Sequence, residues 1–472
     1  MKPPALQHAL SAFRAGRYAA AEQACRSLLA DPATSGDAYY LLGRIANKTG
    51  RHAESVQWLE QAAARLPPSL RLFSALAGAY QAAGNLPRAA ECFSRCLELD
   101  PHCVPAAHKL ADVRYQAREF ELAVEAYRVA AALAPDRPLI WNNLGKNLRN
   151  LGRVDEAVSA YQRALALAPD DPVIHTNFGT ALLTGGRLKE GFREYALYRR
   201  SGARRAGRQS IWRGEPLPGK TLLIYAEQGL GDTIQFVRYL KLVRERVARI
   251  VLECQPPLRA LLQQSGCADL LISSGDAPPP FDAGAALLDL PAIFETTLDT
   301  VPAKIPYLFA SRKVPLPQTP AGRFKVGLAW AGNPHFPDDA TRSMPVNELA
   351  PLLKIPGVSF FNLQKNFRPG DETFLRSAAI LNPMDSVQDF ADTAAVVAQL
   401  DLIVTVDTAV AHLAGALGKP VWLLLPRAAD WRWLLDRTDT PWYPTVRLFR
   451  QNTLGNWQPV IAEVGAGLKQ LV

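Results

Sequence analysis

The segment Asp407-Thr408-Ala409-Val410-Ala411-His412 places an acid, a hydroxyl and an imidazole where a strand expected over 401–406 gives way to a helix expected over 408–418. Asp407 or Thr408 can cap that helix. Its free N–H groups and dipole then form an anion site suited to a diphosphate. His412, four residues beyond Thr408, falls on the same helical face. Small residues at Ala409, Ala411, Ala414 and Gly415 allow close packing. The same residues also suit an ordinary capped helix with a buried histidine.

Two other stretches carry groups for a phosphate or nucleotide. After a strand expected over 325–330, Ala331-Gly332 permits close backbone approach and Asn333 offers an amide. Arg342 and Ser343 lie in the same loop, and an arginine fork suits phosphate, although a plain surface loop is the competing reading. In Asn-Leu-Gln-Lys-Asn-Phe, Gln364 and Lys365 end a strand and could contact a nucleotide. A fourth stretch, Ala-Glu-Gln-Gly-Leu-Gly-Asp, has Gly229, Gly231 and Asp232 just after an apolar run at 221–225. Dinucleotide enzymes hold a pyrophosphate at such a turn, but the third glycine of their fingerprint is missing here.

The elements that must position these groups read as two alternations of strand and helix. The first has strands at 221–225, 249–253, 269–272 and 285–290, with helices at 233–243 and 257–264. A proline-rich connection (Pro302, Pro306, Pro315, Pro317, Pro320) follows. The second has strands at 325–330, 358–363, 401–406 and 420–425, with helices at 346–353, 389–400 and 408–418. Apolar strands joined by helical crossovers predict parallel sheets covered on both faces. Ligands gather at the carboxyl ends of such strands, where all these motifs lie.

The first 200 residues follow another rule. Gly16, Gly50, Gly84, Arg118, Gly152 and Gly186 are 34 apart. Five residues after each is a small residue (Ala21, Ser55, Ala89, Ala123, Ala157, Gly191), and nine after each is Cys25, Leu59, Phe93, Tyr127, Tyr161 or Tyr195. The turn residue, the small contact and the large residue four places on describe two antiparallel helices meeting closely. Prolines at 67, 101, 135 and 169 close units at the same period. This pattern resembles the tetratricopeptide repeat in about six units, an α superhelix with a concave surface for a protein or peptide. Lys109 and Arg114 suggest an acidic ligand there; the alternative is a stabilising or oligomerising array.

Composition sets limits. The chain has 472 residues, 48% hydrophobic and 21% charged, enough for sizeable cores in several domains. A net charge of +9 is too diffuse for a nucleic-acid binder and mildly favours phosphates or anionic lipid. None of the six cysteines forms a CxxC pair, so reduced thiols are expected and no metal, despite the grouping of Cys92, Cys96, His102 and Cys103. No leader or membrane span is read, and a cytoplasmic location is expected, with peripheral contact at the inner membrane face as a variant. Arg199, Arg200, Arg204, Arg205, Arg208 and Arg213 read either as a solvated linker or as contacts to the phosphate of a lipid-linked or lipopolysaccharide acceptor.

Residues 219–472 resemble glycosyltransferase family 9, the heptosyltransferases, which have the GT-B fold. Val-Asp-Thr-Ala-Val-Ala-His-Leu-Ala-Gly-Ala-Leu-Gly-Lys-Pro is similar to that family's donor motif, and Gly-Leu-Gly-Asp to its N-terminal loop. Joined to the repeats, the chain also resembles bacterial repeat-bearing glycosyltransferases and, more remotely, the O-GlcNAc transferases. The resemblance implies two Rossmann-like lobes: an acceptor lobe at 219–318 and a nucleotide-sugar lobe at 319–472, after repeats at 1–200 and a basic linker at 201–218. It implies Asp232 as general base in an inverting reaction that needs no metal, with Glu227 as the alternative base and helix capping as the alternative role of Asp232. Asn333, Arg342, Ser343, Gln364, Lys365, Asp407, Thr408, Ala409 and His412 become donor-site residues, and Gly229 and Gly231 shape the catalytic loop. Two positions depart from the family: Ala409 stands where it has glycine, and Arg342 stands in for its phosphate-binding lysine. The expected acceptor is a glycan, a lipid-linked saccharide or a protein. A non-catalytic adaptor with a degenerate transferase domain is the competing reading. Asp338-Asp339, Asp389 and Asp392 read as loop and cap residues, not a metal-binding pair. Trp431, Trp433, Trp442, Tyr443 and Trp457 read as packing before stacking on a base or sugar.

Overall fold

The computed structural model describes residues 3–198, 210–336 and 339–472; the arginines at 199, 200, 204, 205 and 208, and Asp338, lie outside them. The chain divides into two compact units, Met1–Ile174 and His175–Val472.

The first unit is a row of helix pairs: α1 (Pro4–Arg14) with α2 (Tyr18–Arg26), α3 (Pro32–Lys48) with α4 (His52–Ala63), α5 (Leu70–Ala82) with α6 (Leu86–Leu99), α7 (Val104–Gln116) with α8 (Phe120–Leu133), and α9 (Pro138–Asn150) with α10 (Val154–Leu167). The turn glycines are left-handed, as the 34-residue spacing requires, and Arg118 takes the same conformation at φ 60° without being glycine. Packing explains the small residues. A Cβ on Gly145 would lie 2.8 Å from the Tyr161 ring, and Ser55 Oγ donates to the Gly43 carbonyl at 2.8 Å. Lys109 and Arg114 pair with Asp112 and Glu119 inside the array.

A sixth pair, α11 (Pro172–Thr184) and α12 (Leu188–Tyr198), repeats the pattern with Gly186 at φ 77°. Its apolar residues Leu183, Leu188 and Phe192 join the core of the second unit, so the division falls at residue 174 and not at 200. Phe192 meets Trp431 edge-on at 5.3 Å.

The rest of the second unit holds two wholly parallel sheets. The first runs through β1 (Ser210–Ile211), β2 (Leu217–Tyr225), α13 (Leu230–Phe236), α14 (Leu240–Arg244), β3 (Val247–Cys254), α15 (Arg259–Gln264), β4 (Leu270–Ser273), β5 (Ala283–Ala286) and α16 (Leu290–Ile293), in strand order β1-β5-β2-β3-β4. The second runs through β6 (Phe324–Ala329), α17 (Asp339–Arg342), β7 (Val358–Asn362), α18 (Asp371–Ser377), β8 (Ile380–Leu381), α19 (Phe390–Ala398), β9 (Leu402–Val406), α20 (Ala409–Ala416), β10 (Val421–Leu425), β11 (Val446–Arg450) and α21 (Gln458–Leu468), in order β11-β10-β9-β6-β7-β8.

Three elements differ from the sequence reading. The strand expected over 285–290 stops at Ala286, and its apolar continuation turns helical, since a short apolar run fits either state. The helix expected over 346–353 is two 3-10 turns, Val346–Leu349 and Leu352–Lys354, because Pro351 lacks an N–H and crowds the preceding turn. The helix expected over 233–243 tightens to 3-10 at Val237–Tyr239, where the Arg238 guanidinium takes the Gln235 carbonyl as acceptor. Among the described residues no helix is long and apolar enough to cross a membrane.

Candidate active site

Strand β9 is buried along its whole length and delivers Asp407 and Thr408 to its carboxyl end. Thr408 occupies the cap position of α20, but its side chain makes no cap hydrogen bond; its hydroxyl instead meets that of Thr405 at 3.2 Å. The first turn of α20 thus keeps backbone N–H groups that no side chain caps. Asp407 is buried beside it, and its carboxyl is pushed up to about 6. Burial is the main cause, with the Asp430 carboxylate adding to it and Arg342 and Arg432 opposing. His412 Nε2 lies 4.0 Å from Asp407 Oδ1, and Nδ1 is 2.9 Å from the Tyr443 hydroxyl. The imidazole stacks on Trp433, and burial, then the cations Arg432, Arg238 and Arg342, hold its pKa well below the usual histidine value.

The loop after β2 packs directly on this helix. A Cβ on Gly231 would come within 2.8 Å of His412 Cδ2 and 3.5 Å of Ala409 Cα, so only glycine lets α13 lie so close to α20. Neither glycine of this loop has positive φ: Gly229 is extended at φ −69° and Gly231 is helical. Their role is space, not a tight turn. The Gly229 N–H donates to Asp232 Oδ2 at 2.9 Å, and Arg432 pairs with Oδ1. Capping and ion pairing therefore both engage the candidate base. Arg432 also donates to Asp430 at 2.8 Å and to Gln235 Oε1 at 2.7 Å, with its guanidinium over the Trp431 ring. From α12, the Tyr195 hydroxyl accepts from Gln228 Nε2 at 3.0 Å, while Gln255 Nε2 holds the Gln228 carbonyl at 2.7 Å. Glu227 is partly buried at the start of the loop.

At the end of β6, a cation cluster is organised by Asp339. This buried carboxylate takes Arg342 Nε at 3.3 Å and the Ser343 hydroxyl at 3.0 Å on one oxygen, and Arg368 on the other. The Gly332 N–H donates to Ser343 Oγ at 2.9 Å, and a Cβ at Gly332 would strike Arg342 Nη2 at 2.8 Å. Gln364 accepts from the Ala331 N–H at 3.1 Å, and Asn333 turns its oxygen to the His335 N–H. Lys365 points elsewhere, donating to the carbonyls of Val387 at 2.6 Å and Met384 at 3.3 Å.

The structure thus brings Asp232, Gly231, Asp407, Thr408, Ala409 and His412 together, with Arg342 near enough to act on Asp407 and His412, and leaves the Lys365 ammonium engaged by backbone. Sequence reasoning missed Arg432, Asp430 and Arg368, which have no periodic or motif signal, and read Tyr195 only as a repeat position. Asp389 caps α19 and, with Asp392, holds Arg312. Trp431, Trp433, Trp442, Tyr443 and Trp457 are all buried, as the packing reading requires. The six cysteines are free thiols. Among the described residues no three His, Cys, Asp or Glu side chains are grouped to hold a metal ion.

Fold and site together define a helical-repeat array followed by an α/β unit of two parallel sheets. Tetratricopeptide-repeat models match residues 6–69, 74–138 and 138–171, and the model of glycosyltransferase family 9 (heptosyltransferase) matches residues 384–424, from just before α19 into β10. The chain therefore carries tetratricopeptide repeats and a segment of the family 9 type. Protein FlbA of Caulobacter vibrioides is 27% identical over 538 aligned positions, covering 98% of this chain and 89% of that protein. Among solved structures, MamA from Desulfovibrio magneticus is 19% identical (TM-score 0.32), covering 34% of this chain and 90% of that one. YrrB, a tetratricopeptide-repeat protein, is 16% identical (TM-score 0.34), covering 36% and 88%.

Proposed function

We propose that the protein is an inverting, metal-independent glycosyltransferase of GT-B type that moves a sugar from a nucleoside-diphosphate donor to an acceptor hydroxyl. The observation that carries this reading is the contact at Gly231 and His412. The acid-bearing loop at the carboxyl end of β2 meets the uncapped start of α20 at the carboxyl end of β9. The donor diphosphate would take the α20 amides, Thr408, His412 and Arg342, with Asn333, Ser343 and Gln364 around it. Those donors stabilise charge as it builds on the leaving group. Asp232 would accept the proton of the acceptor hydroxyl as its oxygen attacks the anomeric carbon and the bond to the diphosphate breaks. Each carboxylate oxygen has a second lone pair, so the contacts to Gly229 and Arg432 orient the base without using it up. Lys365 could serve the donor only after leaving its two carbonyls.

The acceptor is a glycan, a lipid-linked saccharide or a protein, recruited in part by a protein or peptide site on the repeats. We place the reaction in the cytoplasm, at the inner membrane face for a lipid-linked acceptor. One observation favours the non-catalytic adaptor: both oxygens of Asp232 are already engaged. A thermal-shift panel of nucleoside diphosphates and nucleotide sugars separates the two. A true donor raises Tm with concentration; no shift with any member favours the adaptor.

A further inference from the structure

Behind the candidate site runs a buried chain of polar groups with a fixed sense of donation. Arg238 Nη2 donates to the Tyr307 hydroxyl at 2.9 Å, and that hydroxyl meets the Ile234 carbonyl at 2.9 Å. A carbonyl can only accept, so the single Tyr307 proton goes to Ile234. The next hydroxyl, Tyr443, stands 3.4 Å from Tyr307 oxygen and 2.9 Å from His412 Nδ1. The His412 contact is thus a full hydrogen bond, while the Tyr307 contact lies at the outer edge of one. Arg238 also lies over the Tyr443 ring at 4.4 Å and donates to the Gln235 and Trp442 carbonyls, so a positive charge flanks this end of the chain.

We propose that Tyr443 is a positioning residue that donates to Nδ1 and thereby fixes neutral His412 as the tautomer with hydrogen on Nε2. Side chains in a helix lean toward its start. The Nε2–H is therefore presented on the Asp407 side, at the first turn of α20. Among the described residues it makes no hydrogen bond, because Asp407 Oδ1 at 4.0 Å is out of reach. His412 then works as a fixed N–H donor to the leaving diphosphate and not as a base. Burial, which keeps the ring neutral, agrees with this. The ligand half of the proposal rests on the glycosyltransferase reading; the tautomer half does not.

The test uses the full chain with nitrogen-15 in its seven histidines, the His412 signals being those missing from His412→Gln. Long-range proton–nitrogen spectra of the wild type should show His412 with Nδ1 bare and Nε2 protonated. In Tyr443→Phe, which keeps the ring, that signature should give way to a mixture. Calorimetry with ADP, GDP, UDP and CDP provides the second readout. Whichever binds should lose about 10-fold in affinity in Tyr443→Phe, the lower end for a hydrogen bond to a charged group. His412→Gln, whose amide nitrogen falls near Nε2, should retain binding better than His412→Asn. Nδ1 protonated in the wild type, or Asn preferred to Gln, overturns the tautomer. An intact Nε2–H signature with no binding of any of the four nucleotides overturns the ligand half and, with it, the donor reading.

Discussion

Arg432 ties the two sheets of the second unit together through Asp232, and the cost of cutting that tie can be worked out. Its side chain is 9% exposed and donates to Asp232, Asp430 and Gln235. Breaking a fully buried pair by removing one partner costs about 3–5 kcal/mol. Here Asp232 and Asp430 are 19% and 35% exposed and can be partly rehydrated, so Arg432→Met should cost about 3 kcal/mol, the lower end of that range. Methionine keeps the contact with Trp431, so the loss reports charge and hydrogen bonding more than packing. Asp232→Asn should cost only ~1–1.5 kcal/mol, because Arg432 keeps Asp430 and Gln235 and the amide oxygen still accepts. With Arg432 gone, the second substitution should cost almost nothing, giving a coupling of about 1–1.5 kcal/mol. Urea denaturation followed by tryptophan fluorescence reads this unit selectively, since Trp58 and Trp141 are the only tryptophans outside it. Additivity within about 0.3 kcal/mol would mean that the pair holds nothing together and that Asp232 is fixed by its cap alone.

Three further outcomes follow from the same geometry. The Asp407 carboxyl is raised to about 6 in the folded chain, so its contribution to stability is fully present below the unfolded value near ~3.9 and is lost as pH rises through 6. Asp407→Asn should therefore gain about 2–3 kcal/mol on the wild type between pH 4 and pH 7, and a difference in Tm that stays flat across that window would contradict the burial argument. Gly231→Ala should cost ~1–3 kcal/mol by forcing α13 off His412, and it should also weaken nucleotide binding; an unchanged Tm would show that the loop has room to spare. Arg342→Ala should weaken donor binding by ~1.5–3 kcal/mol in calorimetry, whereas Lys365→Met should leave donor affinity within about two-fold and lower stability instead. The reverse pattern would make Lys365 the phosphate ligand.

What could be read from the chain alone was local. The turn at Gly16 and its successors, the small residue at Ser55 and the tyrosine at Tyr161 recur at a fixed spacing, and recurrence needs no knowledge of what the helices touch. The start of α20 was legible for a related reason: strand end, cap position and His412 lie within six residues, and helical periodicity alone puts Thr408 and His412 on one face. The same logic misled at Gly229 and Gly231. A pair of glycines in a loop suggests special dihedrals, but the reason for Gly231 is a histidine 181 positions away, and no local rule contains that distance. The partners of Lys365 were equally out of reach, because they are backbone carbonyls, which every residue type supplies and no sequence pattern marks. Arg432 shows the limit most clearly. It sits among aromatic residues that announce a core, and there a charged side chain looks out of place until Asp232, 200 residues earlier, is brought to it. A buried cation in an aromatic run is therefore a question about a distant acid. The site becomes visible only when the fold supplies that acid from the same loop that Gly231 lets approach α20.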